Sequence, residues 1–271
     1  MNTIEAVVLG IVQGLTEFIP VSSSAHLRIV PALVGWDDPG AAFTAVLQLG
    51  SLVAVIGYFL KDLLEMGRAS VAAVTDRGKP PAPAARHLLY IIVGTIPVAV
   101  LGTLLKHRIE GEFRALAIVA AAQIVFGLAL GFADMKSRKT RTFDDLVMRD
   151  AIIIGCAQAL ALIPGASRSG VTLIAALALG FERAAAARFS FLLSVPAVAG
   201  AGLKELKVVL HARDVSPTAL AIGLAVTVVV SYASIAWLLK FLRTRTTMPF
   251  VVYRVALGAL IFVLLATHYL S

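Results

Sequence analysis

Residues 13–26 read QGLTEFIPVSSSAH and place an amide, a carboxylate, three consecutive hydroxyls and an imidazole within one short stretch. Such a set can hold a cation, move a proton or attack an electrophile. Its flanks are apolar, from Ile4 to Ile11 before it and from Leu27 to Val34 after it. A charged side chain at a bilayer centre costs about 2.5–3.5 kcal/mol on insertion scales, so Glu17 in this setting calls for a partner. A second polar stretch offers one: Pro164 to Thr172, PGASRSGVT, carries Arg168 among hydroxyls in equally apolar surroundings. One stretch is acidic, the other is basic, and both follow a proline. Brought together inside a membrane, they would hold a phosphate-bearing group.

Gln13 and Glu17 are four apart and would share one face of a helix. Together they could hold a divalent cation, Mg2+ or Ca2+, or Glu17 alone could act as a base. A carboxylate bonded only to nearby backbone and serine groups is the plainer alternative. Ser22, Ser23 and Ser24 fall where a helix would restart after Pro20. They could cap that helix, or join its N-terminus in binding an anion. Ser23 or His26 could be a nucleophile activated by a neighbouring base. His26 lies close enough to a buried glutamate in sequence to be read as functional, whereas His87, His107, His211 and His268 read as interfacial or solvated. Arg168 has the planar fork that fits phosphate oxygens, and Ser167, Ser169 and Thr172 surround it with hydroxyls. A structural ion pair between Arg168 and Glu17 is the alternative, but it leaves the hydroxyls on both sides unexplained. PGASRSG lacks the GK[ST] ending of a Walker-type loop.

The elements that must position these residues are membrane helices. Only 15% of the 271 residues are charged, against about 25% in soluble domains. The mean hydropathy is +0.90. A net charge of +8 could suggest nucleic acid, but the basic residues sit in short loops without interleaved aromatics. Membrane topology and anionic headgroups fit that pattern better. The first apolar run has no basic leader and no small-residue cleavage site, so no removable signal peptide is expected. Cys156 is the single cysteine, which excludes an internal disulfide and a cysteine metal cluster.

Residues 2–19 and 25–35 are too short or too broken to span, and are expected to form a re-entrant hairpin around the serines. Gly40 to Leu60, His87 to Leu105 and Ala115 to Ala133 are spanning candidates, with a polar loop at 61–86, a short mixed-charge loop at 106–114 and a polar, basic one at 136–149. Residues 151–163 and 170–180 form a second hairpin around PGASRS. Phe189 to Leu203, Pro217 to Leu239 and Pro249 to His268 complete the chain.

Pro20-Val-Ser-Ser23 matches Pro164-Gly-Ala-Ser167, and Phe43-Thr44 matches Phe189-Ser190. The expected fold is therefore one all-α polytopic membrane domain with two repeats, about 1–134 and 151–271. Each repeat is a hairpin plus three spans. An odd number of spans inverts the second repeat, and inverted repeats place their sites between the halves near the midplane. With the 61–86 loop inside, fifteen Lys and Arg fall on inner segments and seven on outer ones (Arg28, Lys106, Arg108, Arg114, Lys204, Lys207 and Arg213), which puts both termini outside.

The Gln13–Glu17 pair, its continuation EFIPVSSSAH, and PGASRSGVT at 164–172 closely resemble the motifs of the undecaprenyl pyrophosphate phosphatases of the bacitracin-resistance family. The similarity extends to FTAVLQLGS at 43–51 and GTIPVAV at 94–100. The resemblance implies a multi-pass enzyme of the bacterial inner membrane that removes the terminal phosphate of C55 isoprenyl pyrophosphate. Its product is the carrier lipid for peptidoglycan and other envelope polymers. It further implies dependence on magnesium or calcium and a site facing the periplasm. Carried over by position, the acidic pair is Gln13 and Glu17, the hydroxyls are Ser22 and Ser23, the histidine is His26, and the phosphate clamp is Ser167, Arg168 and Thr172. Glutamine at the first position weakens any arrangement of two carboxylates on one metal. The expected partners are the polyprenyl pyrophosphate and membrane lipid, with no nucleic acid; a homodimer is compatible with the sequence. The competing reading is a transporter or flippase of the same phosphorylated lipid, since inverted repeats suit alternating access.

Overall fold

The computed structural model describes residues 2–38, 40–75, 82–105, 115–211 and 216–269. Arg77, Lys79, Lys106, Arg108, Arg114 and Arg213, with His107, lie outside them, and the side chains of Lys207 and His211 are also not described. The described chain is helical apart from turns and one isolated bridge between Arg141 and Phe181.

Helix α1 runs Thr3–Thr16 and α2 runs Ser23–Val34. Asn2 starts α1 with a capping box: its side chain accepts from the Glu5 amide at 2.9 Å, and the Glu5 carboxylate accepts from the Asn2 amide at 2.8 Å. Next come α3 (Gly40–Tyr58), α4 (Leu60–Thr75), α5 (Pro83–Leu104) and α6 (Leu116–Lys136). The second half holds α7 (Met148–Gln158), a 3-10 turn at Ala159–Leu162, α8 (Arg168–Ala178), α9 (Arg183–His211), α10 (Pro217–Leu242) and α11 (Met248–Ala266).

Among the described residues five helices are long and apolar enough to cross a membrane: α5, α6, α9 over Arg183–Leu206, α10 and α11. The sixth candidate is broken, with Phe43–Tyr58 and Leu60–Thr75 meeting at 73°. This corrects the expectation of a polar loop directly after Leu60. Residues 60–75 carry charges, yet they form a helix. Its buried Met66 and partly buried Leu63 pack on the core, while Leu60, Leu64, Val71 and Val74 form an exposed apolar stripe on another face. Helix α9 also starts earlier than expected, at Arg183, because Asp134 holds that end: its carboxylate accepts from Arg183 Nε at 2.7 Å and from the Thr247 amide at 2.9 Å.

His87 departs from the solvated reading. It is buried in the second turn of α5, its ring 4.5 Å from that of Phe143 and 6.3 Å from that of Tyr90.

The short helices pack on partners far away in sequence. Helix α1 lies against α10 with Gly10 so close to Gly223 that an added Cβ would sit 2.6 Å from its carbonyl oxygen. Helix α7 lies against α5 in the same manner: a Cβ added to Gly155 would clash with the Gly94 carbonyl oxygen. These close approaches bring the polar turns after α1 and α7 into the middle of the protein.

Candidate active site

Both turns end in the same backbone conformation. Ser22, the N-cap of α2, has φ 75° and ψ 98°, and Ser167, the N-cap of α8, has φ 71° and ψ 114°. Left-handed φ values are rare outside glycine and mark positions that the surroundings enforce. Each serine oxygen accepts from an amide in the first turn of its helix, Ala25 at 3.4 Å and Gly170 at 3.2 Å. Ser23 and Arg168 are therefore the first residues of two helices whose free N–H groups and positive dipole ends face one region.

Glu17 stands between them, 6% exposed. One carboxylate oxygen accepts from Ser23 Oγ at 2.6 Å and from Gln13 Nε2 at 2.8 Å. The other accepts from Arg168 Nη2, which forms an ion pair with Glu17 across the two turns. Gln13 Nε2 also reaches Ser51 Oγ at 3.3 Å, and Ser51 bonds Ser231 at 2.9 Å. Behind Arg168, the Ser194 carbonyl accepts from Nη1 at 3.4 Å. The charge of Glu17 is thus offset by one arginine and two neutral donors.

A cavity of about 160 Å³ opens over this group. Its polar wall is Glu17, Ser22, Ser23, Ser24, Gln48, Ser167 and Arg168. Its apolar wall includes Val98, Leu162 and Ala197. The same three residues border a second, mainly apolar cavity of about 420 Å³ between α5 and α9, lined also by Ala99, Gly102 and Gly200. A polar head and an apolar tail could occupy the two spaces side by side.

Not every residue singled out from sequence reaches the cavity. Thr172 is fully buried; its hydroxyl bonds the Arg168 carbonyl at 2.8 Å and Ser190 Oγ at 2.6 Å. Ser169 Oγ lies 3.2 Å from Ser167 Oγ and reaches the carbonyls of Glu17 and Ile19 at 3.4 Å. His26 is absent from the cavity wall, with Nδ1 2.7 Å from the Ser22 carbonyl and Nε2 2.6 Å from Tyr253 Oη. These three residues brace the turns. Ser24 and Gln48 do line the cavity; Gln48 was legible as an amide inside an apolar run. Tyr253, Arg254 and Gln123 support the turns from α11 and α6. Their signal was the same: polar side chains within spans, of which the charged Arg254 was the clearest.

Among the described residues no group of three or more His, Cys, Asp or Glu side chains is arranged to hold a metal ion. Gln13 Oε1, however, is buried and accepts no hydrogen bond. One carboxylate plus one open amide oxygen suits a hard cation that takes its remaining ligands from phosphate oxygens and water. Gln13 is fully buried and absent from the cavity wall, so of the pair only Glu17 faces the cavity.

The family model for bacitracin resistance protein BacA matches residues 6–260. The undecaprenyl-diphosphatase of Myxococcus xanthus is 51% identical, covering 100% of this chain and 92% of its own length. That of a Nocardioides species is 51% identical over 98% of both chains, and that of Micrococcus luteus 50% identical over the whole of both. With 585 curated proteins matching and the family model covering nearly its whole length, the chain belongs to the bacitracin resistance protein BacA family.

Proposed function

We propose that this protein is an undecaprenyl-diphosphatase: it hydrolyses undecaprenyl pyrophosphate to undecaprenyl phosphate and inorganic phosphate, returning the carrier lipid to envelope synthesis and conferring bacitracin resistance. The observation that carries the reading is the meeting of Glu17, Ser23 and Arg168 at one cavity beside an apolar groove. The pyrophosphate head enters the polar cavity and the isoprenyl tail leaves along the groove into lipid.

Arg168 turns its fork from Glu17 to the terminal phosphate, where two parallel N–H donors match two phosphate oxygens. The N-termini of α2 and α8 add amide donors and dipole charge, and electrostatic stabilisation of this kind dominates phosphoryl transfer. Ser23 Oγ attacks the terminal phosphorus and its proton passes to Glu17, 2.6 Å away. The bond from phosphorus to the bridging oxygen breaks, and undecaprenyl phosphate leaves with that oxygen and its electron pair. Water then attacks the phosphoserine, Glu17 relays the proton back to Ser23 Oγ, and phosphate departs. A magnesium or calcium ion held by Glu17 together with the substrate would neutralise part of the pyrophosphate charge when bound. His26, Ser169 and Thr172 hold the two turns in register. Ser22 and Ser167 cap the helices and face the phosphates.

The same reading assigns the chain two inverted repeats around re-entrant hairpins. It is supported by pairs at one constant spacing: Gly10 with Gly155, Gln13 with Gln158, Ser22 with Ser167, and Ser23 with Arg168; the helix caps Ser22 and Ser167 thus shift by one the match of Ser23 to Ser167 made from the prolines. Nucleophile and clamp thus occupy equivalent positions at the two helix starts. The excess of inner Lys and Arg supports a site opening to the periplasmic side of the inner membrane.

Release of inorganic phosphate from C55 pyrophosphate by the purified protein in detergent, with and without chelator, tests the function. A protein that only moves lipid across a bilayer releases none, and that result would replace the hydrolase reading with a transporter.

A further inference from the structure

Helix α11 carries a fully buried arginine, Arg254, at 0% exposure. A buried guanidinium normally has a carboxylate partner. None accepts from Arg254 among the described residues; its acceptors are five backbone carbonyls. Nη2 donates to Gly165 at 2.8 Å, to Ala166 at 2.9 Å and to Ala122 at 3.4 Å. Nη1 donates to Pro20 at 3.2 Å, and Nε to Gln123 at 3.3 Å. Pro20 lies two residues before Ser22. Gly165 and Ala166 lie directly before Ser167.

We propose that Arg254 is the positioning residue that fastens the two polar turns to each other and thereby sets the separation of Ser23 from Arg168. The proposal rests on the hydrolytic reading given above. Both turns leave helical geometry through a strained serine, and their carbonyls point inward without a helix or sheet to take them. One guanidinium satisfies carbonyls from both turns and anchors them to α6. Gln123 adds to the same anchor through its Nε2, 2.8 Å from the Val21 carbonyl. Apart from the ion pair between Arg168 and Glu17, the direct bonds between the turns are long: Gly165 amide to Ser24 Oγ, and Ser169 Oγ to the Glu17 and Ile19 carbonyls, all at 3.4 Å. Arg254 is therefore the strongest bridge from backbone to backbone between them, and it touches no substrate.

A lysine could not replace it. An ammonium has three donors on one atom and cannot reach carbonyls spread around a planar fork. The site is also shaped around the fork. A Cβ on Gly170 would lie 2.7 Å from Arg254 Nη1, so the first turn of α8 can approach only with glycine there.

The test measures kcat, KM and thermal unfolding in detergent for two variants acting on C55 pyrophosphate. Arg254→Lys keeps the charge but loses the fork. Gly170→Ala keeps Arg254 but displaces it, and improves the helix propensity of α8. Misplacing reacting groups by about 1 Å costs up to about 100-fold in rate, so kcat should fall about 10- to 100-fold in each. KM should stay within about threefold, because the groups that bind substrate remain. Both variants should stay folded in detergent, with a lowered unfolding temperature in Arg254→Lys, which leaves buried carbonyls unpaired. Wild-type kcat in a folded Arg254→Lys protein overturns the proposal, as does a loss confined to KM. Loss of the folded state in both variants assigns Arg254 to folding alone and overturns it too. An inactive wild type would instead refute the hydrolytic reading, which keeps the two failures apart.

Discussion

Replacing Ser23 by alanine separates a nucleophile from a mere hydrogen-bonding neighbour. In the fold, Ser23 Oγ makes one bond, to Glu17 at 2.6 Å. A hydrogen bond to a charged group contributes about 1.5–3 kcal/mol. Glu17 would keep Gln13 and Arg168 as donors, so the structural loss sits within that range. If Ser23 only positioned Glu17, the largest rate effect would be about 3 kcal/mol, or roughly 150-fold at 1.36 kcal/mol per decade. Loss of a nucleophile is far larger, on the order of 10⁶ in a serine hydrolase triad. We therefore expect Ser23→Ala to lower kcat by at least about 10³-fold, equivalent to about 4 kcal/mol, beyond what the hydrogen bond supplies. The assay follows phosphate release by purified protein in detergent, with thermal unfolding as the control for folding. In parallel, C55 pyrophosphate labelled in its terminal phosphate is acid-quenched during turnover. Label should remain on Ser23 of the wild type and be absent from Ser23→Ala. A variant within tenfold of wild-type kcat, or wild-type protein that never carries label, would refute covalent attack by Ser23.

Glu17→Gln should slow turnover by about 10²- to 10⁴-fold, the usual range for loss of a general base, measured on the same substrate. It should also lower the unfolding temperature, because Arg168 loses its only carboxylate partner among the described residues, and breaking a buried pair costs about 3–5 kcal/mol. His26→Ala should slow turnover but still form the labelled serine, since both ring nitrogens are engaged by Ser22 and Tyr253; failure to label would reinstate the histidine as the attacking group. Gly200→Phe should block the apolar groove and raise KM for the C55 substrate while leaving farnesyl pyrophosphate turnover unchanged; equal effects on both chain lengths would disconnect the groove from the tail.

Much of this site was legible in the chain because membrane helices make polar residues conspicuous. Glu17 and Arg168 stood out for their cost in an apolar setting, and they meet in the direct ion pair that was the alternative to a shared phosphate. The matching prolines and serines marked the two turns. Direction was harder to read. His26, three residues after Ser23, belongs to the same end of α2, yet its side chain turns to α11 rather than to the cavity. Spacing places a residue on a face; which neighbour that face meets depends on tertiary packing. Arg254 was legible as a charge within a span, but not its acceptors, which are carbonyls of turns more than eighty residues away. The break after Tyr58 escaped for another reason: α4 packs on the core through buried Met66 and partly buried Leu63, on a face that its charges obscure.

The partner of α1 has an implication for biogenesis. Gly10 nests against Gly223, and Glu17 is paired with a residue 151 positions further on. A ribosome threading this chain into the bilayer delivers the carboxylate long before its arginine and long before the groove that α1 fills. Until then the first segment has no permanent seat, and its carboxylate has no arginine to offset it. Assembly is thus obliged to run backwards across the polypeptide, with the last third admitting the first.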